Sequence, residues 1–137
     1  MTVREKIKNI LIESLQEAIS SGSLPEADYP EVKIEYPREE KFGDYSTPLA
    51  MESAKILKRS PLEIANSIKP FIEKHSMITQ VDVVKPGFIN IFLSVGFLTE
   101  NLKFVDSCKE IYGKVKNENP LRINIEFVSA NPTGPMN

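Results

Sequence analysis

The sequence predicts an α+β domain of two layers, in which an antiparallel sheet packs against helices. Helical periodicity recurs in several segments, a β-hairpin pattern and other alternating segments fall between them, and parallel crossovers are few. In addition, 41% of the 137 residues are hydrophobic, which is ordinary for a folded protein and argues against wholesale disorder.

The N-terminal segment predicts a helix followed by a strand. Over residues 3–20 the apolar side chains recur at helical spacing on one face. Thr2 and Glu5 have the spacing of a capping box, and Gly22 provides a stop. After a polar loop, Val32–Tyr36 is predicted to be a strand.

Two further helices are predicted from a hydroxyl residue that precedes a proline. The second helix begins near Thr47 as N-cap, with Pro48 at its first position, and extends to about Lys58. The run Ser60–Glu63 repeats this start with a complete capping box. It opens a third helix that is kinked, or ends in a weak last turn, at Pro70.

The segment Ile78–Leu93 predicts a β-hairpin. Lys85–Phe88 fits a type II turn with proline at its second position and glycine at its third. A fourth helix is predicted over Ser94–Tyr112, with Gly113 as its stop. Alternation of apolar and polar residues over Leu121–Val128 predicts a last strand.

Composition excludes several classes of protein. The net charge of −2 excludes a strongly basic nucleic-acid-binding protein, although residues 45–125 carry three excess positive charges that either face a polyanion or are solvated surface. No apolar run approaches the length of a membrane span.

The single cysteine, Cys108, excludes an internal disulfide and is predicted to be a buried, inert thiol. The only histidine, His75, is predicted to face solvent, and it cannot form a paired-histidine metal site.

The second strand of the hairpin carries a candidate binding surface. With a period of two, its aliphatic side chains share one face. If helices cover that face, the open face presents two rings and an amide, which are Phe88, Asn90 and Phe92. A nucleobase stacks on an aromatic ring, and an amide hydrogen bonds with its polar edge. The alternative is that this face is buried too, with Asn90 satisfied by backbone groups.

The last nine residues, Ser129–Asn137, leave the predicted strand and enter a turn rich in proline and glycine. In an open α/β sheet, ligands bind at the carboxyl ends of the strands. Ser129 and Asn131 have donors and acceptors that suit a substrate ammonium group; the alternative is an ordinary exit loop. The sequence stops within this motif, so we expect it to be part of a longer protein.

Four segments together resemble bacterial arginyl-tRNA synthetases. Ile125–Pro135 is similar to the strand and loop that lead into the class I signature of that family. Lys41–Thr47, Pro61–Ala65 and Pro86–Leu93 also resemble family segments, in the family's order and across nearly the whole chain. Any one of these segments alone is a weak signal.

The resemblance implies a division of the chain. Residues 1–115 would be the family's N-terminal additional domain, an antiparallel sheet packed with helices that contacts the D-loop of the tRNA. Phe88 and Asn90 fall on the positions that bind a D-loop base. Residues 116–120 would be a linker, and residues 121–137 the first strand and loop of a truncated Rossmann catalytic domain.

The resemblance also assigns substrate positions near the C-terminus. Ser129 and Asn131 would hold the α-amino end of arginine. The segment that approaches ATP would be Ala130, Asn131, Pro132, Thr133, Gly134, Pro135, Met136 and Asn137. Asn137 stands where the family usually has the first histidine of its signature, and an asparagine donates a hydrogen bond but carries no positive charge. This departure indicates either a modified signature or a mechanism that uses other residues.

The resemblance therefore implies the N-terminal part of an arginine–tRNA ligase. The parent enzyme would activate arginine with ATP and Mg²⁺ and transfer it to tRNA. This part alone is expected to be inactive, to bind no cofactor, and to be a cytoplasmic monomer without membrane contact. The alternatives are a free-standing RNA-binding module of related fold and a protein–protein interaction domain.

Overall fold

The described part of the chain contains a three-stranded antiparallel sheet and four α-helices, which confirms the predicted α+β class. The structure is a computed structural model, and it describes residues 2–114, 119 and 121–127. In chain order the helices and strands are α1 (Val3–Ser20), β1 (Tyr45–Thr47), α2 (Leu49–Leu57), α3 (Pro61–Ile72), β2 (Ile78–Val84), β3 (Phe88–Leu93) and α4 (Val95–Cys108). Short 3-10 helices lie at Glu40–Phe42 and Lys109–Ile111.

Strand β3 is the centre of the sheet, with β1 on one side and β2 on the other. Helices α2 and α3 pack against the sheet, and α1 packs against α3. Ile89 and Ile91 of β3 point into this layer and are fully buried. Because successive residues of a strand alternate between faces, Phe88 and Asn90 lie on the opposite face.

Helix α1 forms as its sequence predicts. The Glu5 amide donates a hydrogen bond to Thr2 Oγ1 (3.2 Å), and the Thr2 amide donates one to Glu5 Oε2 (2.6 Å), which completes the predicted capping box. These hydrogen bonds lower the pKa of Glu5. The helix ends at Ser20, two residues before Gly22, whose φ of +79° ends the helical conformation.

The starts of α2 and α3 differ from prediction. Thr47 is the last residue of β1, so Pro48 is the N-cap of α2, and Thr47 Oγ1 accepts a hydrogen bond from the Leu49 amide (3.3 Å). Ser60 is the N-cap of α3, but its side chain makes no capping hydrogen bond, so the predicted capping box is absent. Pro70 lies in the last turn of α3, as predicted.

The hairpin is confirmed, but its turn is not of type II. The Lys85–Pro86 peptide bond is cis, and the Gly87 amide donates to the Val84 carbonyl (2.9 Å). The turn therefore spans Val84–Gly87 with proline at its third position, as in a type VI turn. Gly87 is buried against Pro61, where a Cβ atom would overlap the proline ring.

Two predicted strands are wrong. Val32–Tyr36 forms only one bridge, in which the backbone of Glu35 pairs with Ser46. This segment is extended at the sheet edge but is not a strand. Leu121–Phe127, the described part of the last predicted strand, has no regular secondary structure. A strand needs a neighbouring strand to complete its hydrogen bonds, and no described segment pairs with these residues.

Helix α4 is shorter and more exposed than predicted. It ends at Cys108, and none of its residues is buried. Leu98 and Leu102, predicted to share its apolar face, are exposed. The prediction that Cys108 is a buried thiol is therefore wrong, since its side chain is half-buried. The cause is that, within the described part of the chain, no element covers most of α4, and Phe97 near its start is the residue that packs against the core.

Candidate nucleic-acid interface

The open face of the sheet forms one wall of a cavity of about 490 Å³. Three chain segments build it. One is the segment from Glu35 to Phe42, which starts at the sheet edge beside β1. Strand β1 contributes Ser46, and the hairpin contributes Val84, Lys85, Phe88 and Asn90. This volume lies within the range of cavities that hold small molecules.

The amide of Asn90 lies beside this cavity. Its side chain is 4% exposed, and Ser46, opposite it on β1, is 6% exposed. Ser46 Oγ donates a hydrogen bond to Asn90 Oδ1 over 2.8 Å. Among the described residues, none accepts a hydrogen bond from Asn90 Nδ2, which is not fully buried, and Asn90 lines the cavity. Asn90 is thus more buried than an open platform requires, and its partner is a side chain rather than the backbone.

Three aromatic residues line the cavity with Asn90, but strand alternation predicts only one of them. Phe88 lines the cavity, as predicted, whereas Phe92 does not. The other two, Phe42 and Tyr36, belong to the segment from Glu35 to Phe42. The Tyr36 ring lies against Tyr45, with centroids 5.3 Å apart, and burial raises the pKa of Tyr45 to about 12. The Tyr45 phenol therefore stays uncharged near neutral pH.

Two cations lie at the margin of the cavity. Arg38 and Lys85 are both exposed, and neither forms an ion pair within the part of the chain that the structure describes. Glu35 and Glu39 also line the cavity, but Glu39 is paired with Lys41 over 2.8 Å. Unpaired cations beside stacking rings suit a ligand that combines a base with a phosphate.

The Lys41–Thr47 stretch is held on β3 by its backbone. Asp44 donates its amide proton to the Ile91 carbonyl (2.9 Å), and Asp44 Oδ2 accepts a hydrogen bond from the Leu93 amide (2.8 Å). Gly43 has a φ of +92°, and a Cβ there would lie 2.7 Å from the Ile91 carbonyl oxygen. This close approach places Phe42 at the cavity.

The predicted substrate residues of the C-terminal segment lie outside the described residues. These are Ser129, Asn131 and the rest of Ala130–Asn137. Among the described residues, no three acidic, histidine or cysteine side chains are grouped so that they could hold a metal ion. Within the same residues, no helix is both long and apolar enough to span a membrane.

Sequence reasoning from β3 alone misses Ser46, Phe42, Tyr36 and Arg38. They lie more than forty residues before Asn90 in the sequence, and no local period connects them to it. Two of them, Phe42 and Ser46, fall within the Lys41–Thr47 stretch that carries part of the family resemblance. That stretch is the signal in the sequence that points to them.

Comparisons with known proteins agree with one another. The model of the "Arginyl tRNA synthetase N terminal domain" family matches residues 5–93. An arginine–tRNA ligase of Leptospira interrogans is 40% identical over 100% of this chain and 24% of its own length. One of Ruminiclostridium cellulolyticum is 38% identical over 98% of this chain and 24% of its own length. The crystal structure of arginyl-tRNA synthetase from Plasmodium falciparum shares the fold, with a TM-score of 0.59 and 24% identity over 74% of this chain and 18% of that one. The chain thus spans about a quarter of the length of the curated relatives it matches.

Proposed function

The chain belongs to the arginyl-tRNA synthetase N-terminal domain family, and from this premise we propose that it is the tRNA-recognition part of an arginine–tRNA ligase. The parent enzyme would activate arginine with ATP and transfer it to tRNA in the cytoplasm, with Mg²⁺ as the metal ion. The match to arginine–tRNA ligases over almost all of this chain favours this function over a free-standing RNA-binding module or a protein–protein interaction domain.

The cavity beside Asn90 supports a role in base recognition. It combines rings that stack on a base with an amide donor that hydrogen bonds with the base edge, and with cations placed for the backbone. Single-stranded loops expose bases in this way, whereas bases in a duplex are stacked. We therefore propose that Phe88 and Asn90 bind a base of the tRNA D-loop.

The remaining assignments follow from the family alone. We propose that residues 1–115 are the tRNA-binding domain, residues 116–120 a linker, and residues 121–137 the beginning of the catalytic domain. Ser129 and Asn131 would bind arginine, and Ala130–Asn137 would approach ATP. Asn137 then occupies the position of the first signature histidine. The chain is proposed to act as a monomer and to need the rest of the enzyme for activity.

A titration of the isotope-labelled chain with an arginine tRNA transcript tests base recognition. We expect the resonances of Phe88 and Asn90 to shift, and we expect Asn90→Ala to weaken binding roughly tenfold, since it removes a hydrogen bond to the ligand and the partner of Ser46. Asn66→Ala is the matched control, because Asn66 is exposed on α3 and bonds only to the Leu62 carbonyl of its own helix.

A transcript with an abasic D-loop separates base recognition from general attraction to RNA. It should bind the wild-type chain at least as weakly as the intact transcript binds Asn90→Ala, because it loses the ring stacking as well as the hydrogen bond. Equal binding of intact and abasic transcripts would contradict the proposal, as would an absence of shifts at Phe88 and Asn90.

A further inference from the structure

We propose that Ser46 is a positioning residue, which turns the Asn90 amide so that the cavity presents a hydrogen-bond donor. This inference rests on the proposed function of the same cavity. It adds a specificity: the recognised base must present an acceptor, a carbonyl oxygen or an unprotonated ring nitrogen, where it meets Asn90.

The sheet register brings Ser46 and Asn90 together. They are directly opposite each other on β1 and β3, so their side chains project from the same face. The Ser46 hydroxyl donates to Asn90 Oδ1 over 2.8 Å, and both residues are buried. On the other side of Asn90, the opposite residue on β2 is Asp82, whose carboxylate oxygens accept hydrogen bonds from Gln80 Nε2 at 3.0 and 2.9 Å.

An asparagine amide has two orientations that fill nearly the same space, with oxygen and nitrogen exchanged. The Ser46 hydroxyl favours the orientation in which Oδ1 faces β1, because a buried carbonyl without a donor is costly. The backbone of Asn90 pairs with the neighbouring strands, so the serine hydroxyl is the group that holds the amide in this orientation. With Oδ1 occupied, Nδ2 is the group that faces the cavity.

The ligand chemistry follows from this direction. The two N–H groups of Asn90 Nδ2 can donate to an acceptor on the edge of the base. An exocyclic amine at that place would instead bring two donors together, and no hydrogen bond would form. A site that is built to donate discriminates strongly against a partner that lacks the acceptor, because its own buried group then stays unpaired. Ser46 thus contributes to specificity by orienting the Asn90 amide.

The test compares Ser46→Ala with Ser46→Thr in the tRNA titration. We expect Ser46→Ala to weaken binding about fivefold and to reduce the shift of the Asn90 side-chain amide protons on binding, since the amide then samples both orientations. Ser46→Thr keeps a hydroxyl on a strand residue and should restore both. Ser53→Ala is the control, because Ser53 is an equally buried serine whose hydroxyl bonds to the Leu49 carbonyl within α2.

A specificity readout distinguishes positioning from mere stability. Abasic substitution at each D-loop position first identifies the base that contributes most to the binding affinity. That base is then replaced by one that carries a hydrogen-bond donor in place of the acceptor. The wild-type chain and Ser46→Thr should discriminate between the two bases at least tenfold, and Ser46→Ala should discriminate less. A purely structural role would lower both affinities equally and leave the ratio unchanged.

The outcomes separate this inference from the proposed function. If the wild-type chain does not bind the transcript, the proposed function fails and this inference with it. If the wild-type chain binds and Asn90→Ala binds more weakly, an unchanged ratio and amide shift in Ser46→Ala overturn the role of Ser46 alone. That role is also overturned if folded Ser46→Thr binds and discriminates no better than Ser46→Ala.

Discussion

Gly43 shows how a single residue without a side chain places the aromatic wall of the cavity. Its φ of +92° and ψ of −170° lie in a region that is essentially restricted to glycine. The missing Cβ also permits the Ile91 carbonyl to approach. The 3-10 helix before it therefore rests on β3, and Phe42, its last residue, reaches the cavity.

We expect Gly43→Ala to lower the free energy of unfolding by about 2–4 kcal/mol, because it combines backbone strain with the carbonyl overlap. Gly22→Ala is the matched control. It has a positive φ of +79° but no heavy atom within 4 Å of the added Cβ, so only the conformational cost of about 1–2 kcal/mol applies. Urea unfolding of both variants measures the difference, and equal losses would show that the Ile91 contact contributes nothing.

The elements differ in how far local sequence determines them. Helix α1 follows from its periodicity and its capping box, and helix α3 and the hairpin follow from periodicity, since these signals lie within one segment. Strand β1 has three residues, too few for a period, and is specified by pairing with β3. The strand predicted at Val32–Tyr36 fails for the converse reason, because its alternation lacks a full-length partner. The site divides in the same way: the face that carries Phe88 and Asn90 is predictable from β3, but the Ser46 partner is not.

The burial of helices α1 and α4 predicts unequal contributions to stability. Leu11 of α1 is 0% exposed, whereas Leu102 of α4 is 68% exposed. We expect Leu11→Ala to lower the free energy of unfolding by about 2–5 kcal/mol and Leu102→Ala by less than about 0.5 kcal/mol. Denaturant unfolding of the two variants, monitored by circular dichroism, makes the comparison. A large loss in Leu102→Ala would mean that α4 packs against the core in solution.

At the scale of the whole molecule, the net charge conceals how the cations are arranged at the cavity. The acidic first third of the sequence contributes Arg38 to the cavity, and the basic middle contributes Lys85. The net charge of each part of the sequence therefore points to Lys85 but not to Arg38. The fold brings them to one cavity, while other described acidic and basic side chains pair with each other elsewhere, as Lys33 and Glu52 do over 2.7 Å.

We expect tRNA binding to weaken with salt, and each of Arg38→Gln and Lys85→Gln to make the log–log salt dependence shallower by roughly 0.7–0.9. Each cation that contacts a phosphate releases counterions in this proportion. Lys55→Gln on α2, whose side chain is exposed but does not line the cavity, is the control and should leave the slope unchanged. Titrations at several salt concentrations give the slopes, and identical slopes in all variants would exclude phosphate contacts at the cavity margin.

Because β3 is the central strand of the sheet, this one short segment contributes both to the core and to the cavity. Its alternate residues belong either to the core, as Ile89 and Ile91 do, or to the face that lines the cavity, as Asn90 does. Deleting or inserting one residue between Pro86 and Asn90 would exchange the two sets, because the side chains alternate with a period of two. The hairpin must therefore keep its length for folding and, under the proposed function, for recognition alike.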